Sequence, residues 1–165
     1  MNIALIGPIP PPAGGMARQT KQQQLLLEEA GQTVLLIPTN MAYKPEFIAK
    51  IPMLRAIVRL LQYLFVLLTT LPKADVIHMM SNSGWSWHLF STPAIIIAKL
   101  FGIPVVINYR GGEAAEFFDK QWVWVKPFIK VAQCIVVPSR FLVEVFGRYN
   151  VKAQVIPNTL NTEVF

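Results

Sequence analysis

The first residues suited to chemistry form a loop of prolines and glycines, GPIPPPAGGMARQ (7–19), directly after the apolar run IALI. Prolines cannot continue a strand, so the chain leaves it in an extended form. Gly14 and Gly15 let the backbone approach a ligand where a following helix has unsatisfied N–H groups, so the loop can receive a phosphate. It lacks the spacing of a dinucleotide-binding fingerprint and the lysine of a P-loop. The alternative is a stiff turn that only redirects the chain.

Polar residues also follow two later apolar runs. In VIHMMSNSGWSWH (76–88), His78 lies within the run and Asn82 follows it. In VINYRGGEAAEFF (106–118), Tyr109 and Arg110 end the run, and Glu113 follows a second pair of glycines. Such groups suit contacts to sugar hydroxyls and phosphates, and a guanidinium beside flexible backbone suits an anion. The alternative for Arg110 is a surface ion pair with Glu113.

Other kinds of site are not predicted. The two histidines, His78 and His88, are ten residues apart with no clustered carboxylate or thiol, so we expect no metal. Cys134 is the one cysteine, so no disulfide can form within the chain, and a reducing cytoplasm is the expected setting. The N-terminus lacks the basic start of a signal peptide.

The elements that must position these residues alternate along the chain. Short runs rich in Val and Ile, at 3–6, 33–37, 75–79, 104–108, 134–137 and 153–156, are typical of strands buried in a parallel sheet. Helical patterns fill the gaps at about 15–30, 47–71, 86–101, 112–131 (one helix or two) and 139–148. We therefore predict an α/β fold, a Rossmann-like doubly wound parallel sheet of about six strands with helices on both faces.

Charge and hydropathy point to anionic partners. Fifteen Lys and Arg against nine Asp and Glu give a net charge of +6, and 53% of the residues are hydrophobic. Residues 53–71 form an apolar helix with Arg55 and Arg59 on one stripe, too short in its uninterrupted part to span a bilayer. It is predicted either to pack on the sheet or to bring the basic residues of 44–73 to an anionic membrane surface. Nothing resembles a nucleic-acid recognition helix, so no nucleic acid is expected.

Five segments in order resemble the N-terminal half of a GT-B glycosyltransferase of the retaining family-4 type. They are GPIPPPAGGM, DVIHM, NYRGGE, VVPSRFLVEVF and VIPNTLNTEVF. The resemblance implies an enzyme of two Rossmann-like domains facing across a cleft, with a nucleotide sugar as donor substrate. No other cofactor is expected. It implies that Gly14 and Gly15 approach the donor diphosphate. His78, Asn82, Tyr109 and Glu113 would line the acceptor side, with Arg110 as the catalytic group.

Two departures from the family pattern shape this prediction. Relatives commonly have a histidine where Arg110 stands, and an arginine cannot act as a general base, so Arg110 is expected to position charge. The junction that opens the second domain in relatives falls at 157–165, after a domain covering 1–156. The donor-binding C-terminal domain is therefore expected as a partner, and this part alone is expected to be inactive.

The predicted function is transfer of a sugar, with retention, from a nucleotide sugar to a polysaccharide or lipid-linked acceptor at the inner face of the cytoplasmic membrane. The alternative is a stand-alone Rossmann-like module that binds a nucleotide or phosphorylated ligand. That alternative lacks an acidic residue after the second strand run, TVLLIPTN, to bind a ribose. The aromatic run QWVWVKPF (121–128) could cover a sugar face or pack on a neighbouring helix.

Overall fold

The computed structural model describes residues 1–12, 14–41 and 52–158, with the backbone alone for 52 and 53. The strands are β1 (Asn2–Gly7), β2 (Thr33–Pro38), β3 (Val76–Ser81), β4 (Val105–Tyr109), β5 (Cys134–Val137) and β6 (Gln154–Val155). The helices are α1 (Gly15–Glu29), α2 (Pro52–Thr70), α3 (Thr92–Leu100), α4 (Ala114–Ile129) and α5 (Arg140–Arg148). A π-helical turn, Trp87–Ser91, leads into α3.

The six strands form one parallel sheet in the order β2-β1-β3-β4-β5-β6, which confirms the predicted fold class. The register pairs Leu5 with His78 and Met80 with Asn108. Since side chains alternate between the faces of a sheet, His78, Asn108 and the following Arg110 project from the same face. The strand order reverses after β2, and ligands of such sheets collect at the carboxyl ends of the strands near this point.

The helices are divided unequally between the two faces. The connection through α1 runs from β1 toward the β2 edge of the sheet, whereas the connections through the other four helices run toward the β6 edge. Because such crossovers are right-handed, α1 lies on one face of the sheet and the other four helices lie on the opposite face. The main core lies between the sheet and helices α2–α5. It contains the strand side chains on that face, such as Met79 and Ile107, and the buried residues of the four helices. On the other face α1 packs closely: a Cβ on Gly7 would lie 2.7 Å from the Thr20 hydroxyl. The face that carries His78 and Asn108 is thus covered by one helix.

Two helical predictions need correction or completion. The region 112–131 is one helix, α4, because Pro127 falls in its last turn, where the loss of one backbone hydrogen bond does little harm. The predicted start of the second helix at 47 falls in 42–51, outside the described residues. From Pro52 onward α2 crosses from β2 to β3.

Helix α2 has the length and hydropathy of a membrane span between Leu54 and Lys73, but it packs on the sheet. Tyr63 and Leu67 are completely buried, and the Tyr63 hydroxyl donates a hydrogen bond to the Phe90 carbonyl oxygen at 2.9 Å. Burial raises the pKa of Tyr63, so this hydroxyl remains a donor. These contacts fix α2 as a crossover helix.

Candidate functional site

The proline loop (residues 8–12) and the first turn of α1 form one side of the candidate site. Gly14, in an extended conformation, precedes α1, and no side chain in the described part of the chain caps the helix start. A Cβ added at Gly14 or Gly15 would meet no atom within 4 Å, so this backbone is open to a ligand. The free N–H groups and the dipole of the helix start favour an anion here.

Asn40, at the end of β2, holds the proline loop in place. Its Oδ1 accepts from the Ile9 N–H at 2.8 Å, and its Nδ2 donates to the Ile9 carbonyl at 2.6 Å and the Pro11 carbonyl at 3.2 Å. The stiffness of the loop therefore depends on this amide as well as on the prolines. Asn40 was not predicted as a site residue from the sequence, although its position directly after a strand was the available signal.

Replacing Asn40 by alanine is expected to lower the free energy of unfolding by about 1–3 kcal/mol, because the Ile9 N–H and two carbonyls lose their partner. The amide hydrogen of Ile9 should also exchange faster. Urea denaturation and hydrogen exchange measure these changes. Asn40→Asp keeps the acceptor but sets a carboxylate oxygen against the Ile9 and Pro11 carbonyls, so it should be at least as destabilised as Asn40→Ala. Equal stability of the wild type and both variants would contradict the prediction.

Arg110 forms the other side of the site and contacts three amide oxygens. Its Nε donates to Asn108 Oδ1 at 3.1 Å, and its Nη1 donates to Gln19 Oε1 at 3.5 Å and to Asn158 Oδ1. Gln19 lies one turn beyond Gly15, so Arg110 adjoins the start of α1. Within the described residues Arg110 forms no ion pair, and the alternative of a pair with Glu113 is wrong. Its charge is left to attract an anion.

His78 is linked to Arg110 through Asn108. Asn108 is buried, and its Nδ2 lies 3.1 Å from His78 Nε2. Because Asn108 Oδ1 already accepts from Arg110, its Nδ2 must donate, and His78 Nε2 must accept. Burial, and secondarily the charge of Arg110, lowers the pKa of His78 to about 4. His78 is therefore neutral at pH 7, with its proton on Nδ1.

Tyr109 and Asn82 occupy different environments from His78. The Tyr109 ring is completely buried on the other face of the sheet, and its hydroxyl lies 2.8 Å from the Ser83 hydroxyl. Burial raises the pKa of Tyr109 to about 12, while the hydrogen bond from Ser83 acts in the opposite direction. Tyr109 thus supports the loop that contains Ser83 from the core side of the sheet. Asn82 is half-buried, and its Oδ1 accepts from the Ser83 N–H at 2.8 Å.

Glu113 is exposed directly before α4 and lines a cavity of about 250 Å³. The lining also includes Ser83, Glu116, Phe117, Lys120 and Gln121. The structure therefore brings Arg110, Asn108 and His78 together beside α1, and groups Glu113 with the Ser83 loop. Contact of any of these residues with a substrate stays a prediction. In the described part of the chain no group of three or more His, Cys, Asp or Glu could hold a metal.

Gly111 is required by the close packing of the loops after β3 and β4. A Cβ there would lie 2.9 Å from the Ser83 nitrogen and the Tyr109 hydroxyl, and would overlap the Ser83 hydroxyl. Gly111→Ala is therefore expected to cost about 1–3 kcal/mol of unfolding free energy. Gly112→Ala is the matched control, since its Cβ would meet nothing within 4 Å. Equal urea midpoints for the two variants would contradict this prediction.

The amides that complete the site were not predicted from the sequence. Asn108 and Arg110 are two residues apart at a strand end, a spacing that places them on one face. Gln19 and Asn158 carried no local signal, because they reach Arg110 from distant parts of the chain.

Comparison with known proteins identifies the family. The family model Glycosyltransferase Family 4 matches residues 13–164, almost the whole chain. No curated protein matches. Among solved structures, the chain is similar to a 2-deoxyribosyltransferase from the psychrotolerant bacterium Bacillus psychrosaccharolyticus, at 10% identity and a TM-score of 0.47, over 80% of this chain and 84% of that one. On the family match, this chain belongs to glycosyltransferase family 4.

Proposed function

We infer that the chain is the acceptor-side half of a retaining GT-B glycosyltransferase, which moves a sugar from a nucleotide sugar to a polysaccharide or lipid-linked acceptor. One observation carries this proposal beyond the family match: Arg110, bound to amide oxygens alone among the described residues, lies next to the start of α1. Both features attract an anion, and a departing nucleoside diphosphate is the anion that this reaction produces.

In the proposed reaction the bond between the anomeric carbon and the diphosphate breaks as the acceptor oxygen bonds to the same carbon. The acceptor hydroxyl gives its proton to the departing phosphate. Arg110 stabilises the negative charge and transfers no proton, because a guanidinium stays protonated. His78 is neutral and its Nε2 accepts from Asn108, so it holds the network in position. Gly14 and Gly15 approach the diphosphate with backbone N–H groups.

The acceptor is proposed to enter beside the proline loop. A cavity of about 410 Å³ opens there, between apolar residues of the loop and Arg59 of α2. Its lining of prolines, Ile9 and Met41 with one guanidinium suits a molecule that has an apolar part and an anionic part, as a lipid-linked phosphate has. Asn82 and Glu113 are the proposed contacts to acceptor hydroxyls.

A second, donor-binding domain is the proposed partner, because the described residues that follow β2 include no carboxylate to bind a ribose. The position after β2 where nucleotide-binding sheets place an acidic residue is occupied by Thr39 and Asn40, and the Asn40 amide is bonded to the proline loop. The chain alone is therefore proposed to be inactive, and the whole enzyme to work in the cytoplasm at the inner face of the membrane.

Titration of the 165-residue chain with nucleotide sugars, free nucleotides and inorganic pyrophosphate tests this proposal. We expect millimolar, salt-sensitive binding that depends on the diphosphate and not on the base, since only part of the donor site is present. Micromolar, saturable binding of one nucleotide would overturn the half-enzyme proposal in favour of a stand-alone nucleotide-binding module. Calorimetry at low and moderate salt distinguishes the two outcomes.

A further inference from the structure

The outer surface of α2 carries a row of exposed apolar side chains, called here the α2 stripe. It consists of Leu54, Ile57, Leu61, Phe65 and Leu68, which are between 37% and 68% exposed. Their spacing of three and four residues aligns them along one side of the helix. Single exposed apolar residues are ordinary, but a continuous row of five is typical of a surface that a partner or a membrane covers in the working protein.

The α2 stripe cannot turn inward to the core of the same chain. The opposite side of α2 is already packed, because Tyr63 and Leu67 are completely buried and the Tyr63 hydroxyl is bonded to the Phe90 carbonyl. The helix is thus apolar on two sides, one of which faces solvent. Burial within the fold accounts only for the first side.

The neighbouring helices extend the apolar surface. Since α2, α3 and α4 lie side by side on one face of the sheet, their outer sides form one side of the molecule. Leu89, Ile96 and Leu100 are exposed around and along α3, and Val123 and Trp124 are exposed on α4. An apolar groove of about 540 Å³ separates α3 from α4. Large apolar side chains and an exposed tryptophan are typical of membrane-interface surfaces.

The charges on this side select the occupant. Between residues 52 and 112, which include α2 and α3, the sequence has one acidic residue, Asp75, which bonds to the Asn2 N–H at the start of β1. Helix α4 adds Glu116, which pairs with Lys120, and Asp119, which accepts a hydrogen bond from the Tyr149 hydroxyl. Exposed basic residues, Arg55 on α2, Lys73 after it and Lys99 on α3, accompany the apolar surface. A second copy of a chain with net charge +6 would bring like charges together, whereas an anionic bilayer complements them.

We propose that the α2 stripe and the outer sides of α3 and α4 form a membrane-binding surface that lies on an anionic bilayer with α2 parallel to its plane. This goes beyond the proposed transfer reaction and does not depend on it. Helix α2 runs from the carboxyl end of β2 back to the start of β3, so its first turns lie at the edge of the sheet that carries the site. The cavity beside Arg59 then opens close to the bilayer surface.

Vesicle co-sedimentation of the 165-residue chain tests this surface. The wild type is expected to bind vesicles of phosphatidylglycerol and to bind phosphatidylcholine vesicles at least tenfold more weakly. The double variant Leu61→Gln/Phe65→Gln should lose at least tenfold in binding to the anionic vesicles, because two central apolar contacts are removed. Leu25→Gln/Leu26→Gln is the matched control: these α1 residues are 45% and 40% exposed on the other side of the sheet, and their replacement should leave binding unchanged.

A charge variant separates electrostatic attraction from apolar insertion. Arg55→Gln should weaken binding to the anionic vesicles about fivefold and leave binding to phosphatidylcholine unchanged. Sedimentation velocity without lipid measures self-association of each protein. The proposal is overturned if no vesicles bind, if the stripe and control variants bind equally, or if the stripe variant only abolishes self-association, which would make this side an interface between copies.

Discussion

Arg110→Met is expected to weaken binding of inorganic pyrophosphate at least tenfold. A charge-assisted hydrogen bond contributes about 1.5–3 kcal/mol, or roughly ten- to hundredfold in affinity. Arg110 contacts amide oxygens, and none of the described residues neutralises it, so its charge is available to the ligand. Binding is measured by NMR titration, which resolves millimolar affinities and reports whether the Gly14 and Gly15 amides shift.

The matched control for this prediction is Arg148→Met. Arg148 is an exposed arginine in the last turn of α5, at the opposite edge of the sheet from the site. The Arg148→Met substitution removes the same net charge as Arg110→Met, so any loss of pyrophosphate binding shared by both variants measures the general electrostatic attraction. Equal binding of pyrophosphate by the two variants would exclude Arg110 from the anion site.

The same Arg110→Met variant should raise the pKa of His78. The positive charge of Arg110 contributes to the lowering of that pKa, although burial is the larger cause. The pKa should therefore increase from about 4 and stay below its ordinary value near 6.5. Proton NMR of the His78 ring measures it, and an unchanged value would mean that the two side chains do not interact electrostatically.

Acid is expected to destabilise the protein through His78, by about 3 kcal/mol between pH 6.5 and pH 4. The folded protein keeps His78 neutral down to about pH 4, whereas the unfolded chain takes up a proton below about pH 6.5. The unfolded state therefore binds more protons in this range, and the free energy of unfolding decreases as the pH is lowered. Above pH 6.5 this contribution is constant.

Urea denaturation of the wild type and His78→Gln at several pH values checks this expectation. Glutamine can still accept the hydrogen bond from Asn108 but does not titrate, so the variant should lose about 3 kcal/mol less between pH 6.5 and pH 4. His88→Gln, which replaces a histidine bonded to Gln121 outside the network, should keep the wild-type loss. Parallel curves for wild type and His78→Gln would show that His78 does not cause the acid sensitivity.

Most of the fold could be predicted from the sequence because its signals are local. Continuous apolar runs such as CIVV are typical of strands buried on both faces, and the observed β5 has the predicted bounds. Gly31 and Gly102 end helices in the left-handed conformation that glycine adopts readily. Where the local signal was ambiguous, over 112–131, the sequence left one helix or two open, and the structure has one, α4, with Pro127 in its last turn.

The site could be predicted only in part. The order of strands and loops indicates that the first βα turn and Arg110 come to the same edge of the sheet. The partners of Arg110 are amides of three different segments, Asn108, Gln19 and Asn158, and no spacing rule connects them. The buried position of the Tyr109 ring likewise follows from which face of β4 meets the core.

The sequence by itself determined the element order and the parallel sheet, because these depend on residue type and periodicity along the chain, and its ordered motifs indicated the family that the family model confirms. Only the tertiary structure decided that one helix covers one face and four cover the other, that Asn108 links a neutral His78 to Arg110, and that the apolar stripe of α2 faces outward. These depend on crossover handedness and on contacts between distant segments, which residue order does not specify locally.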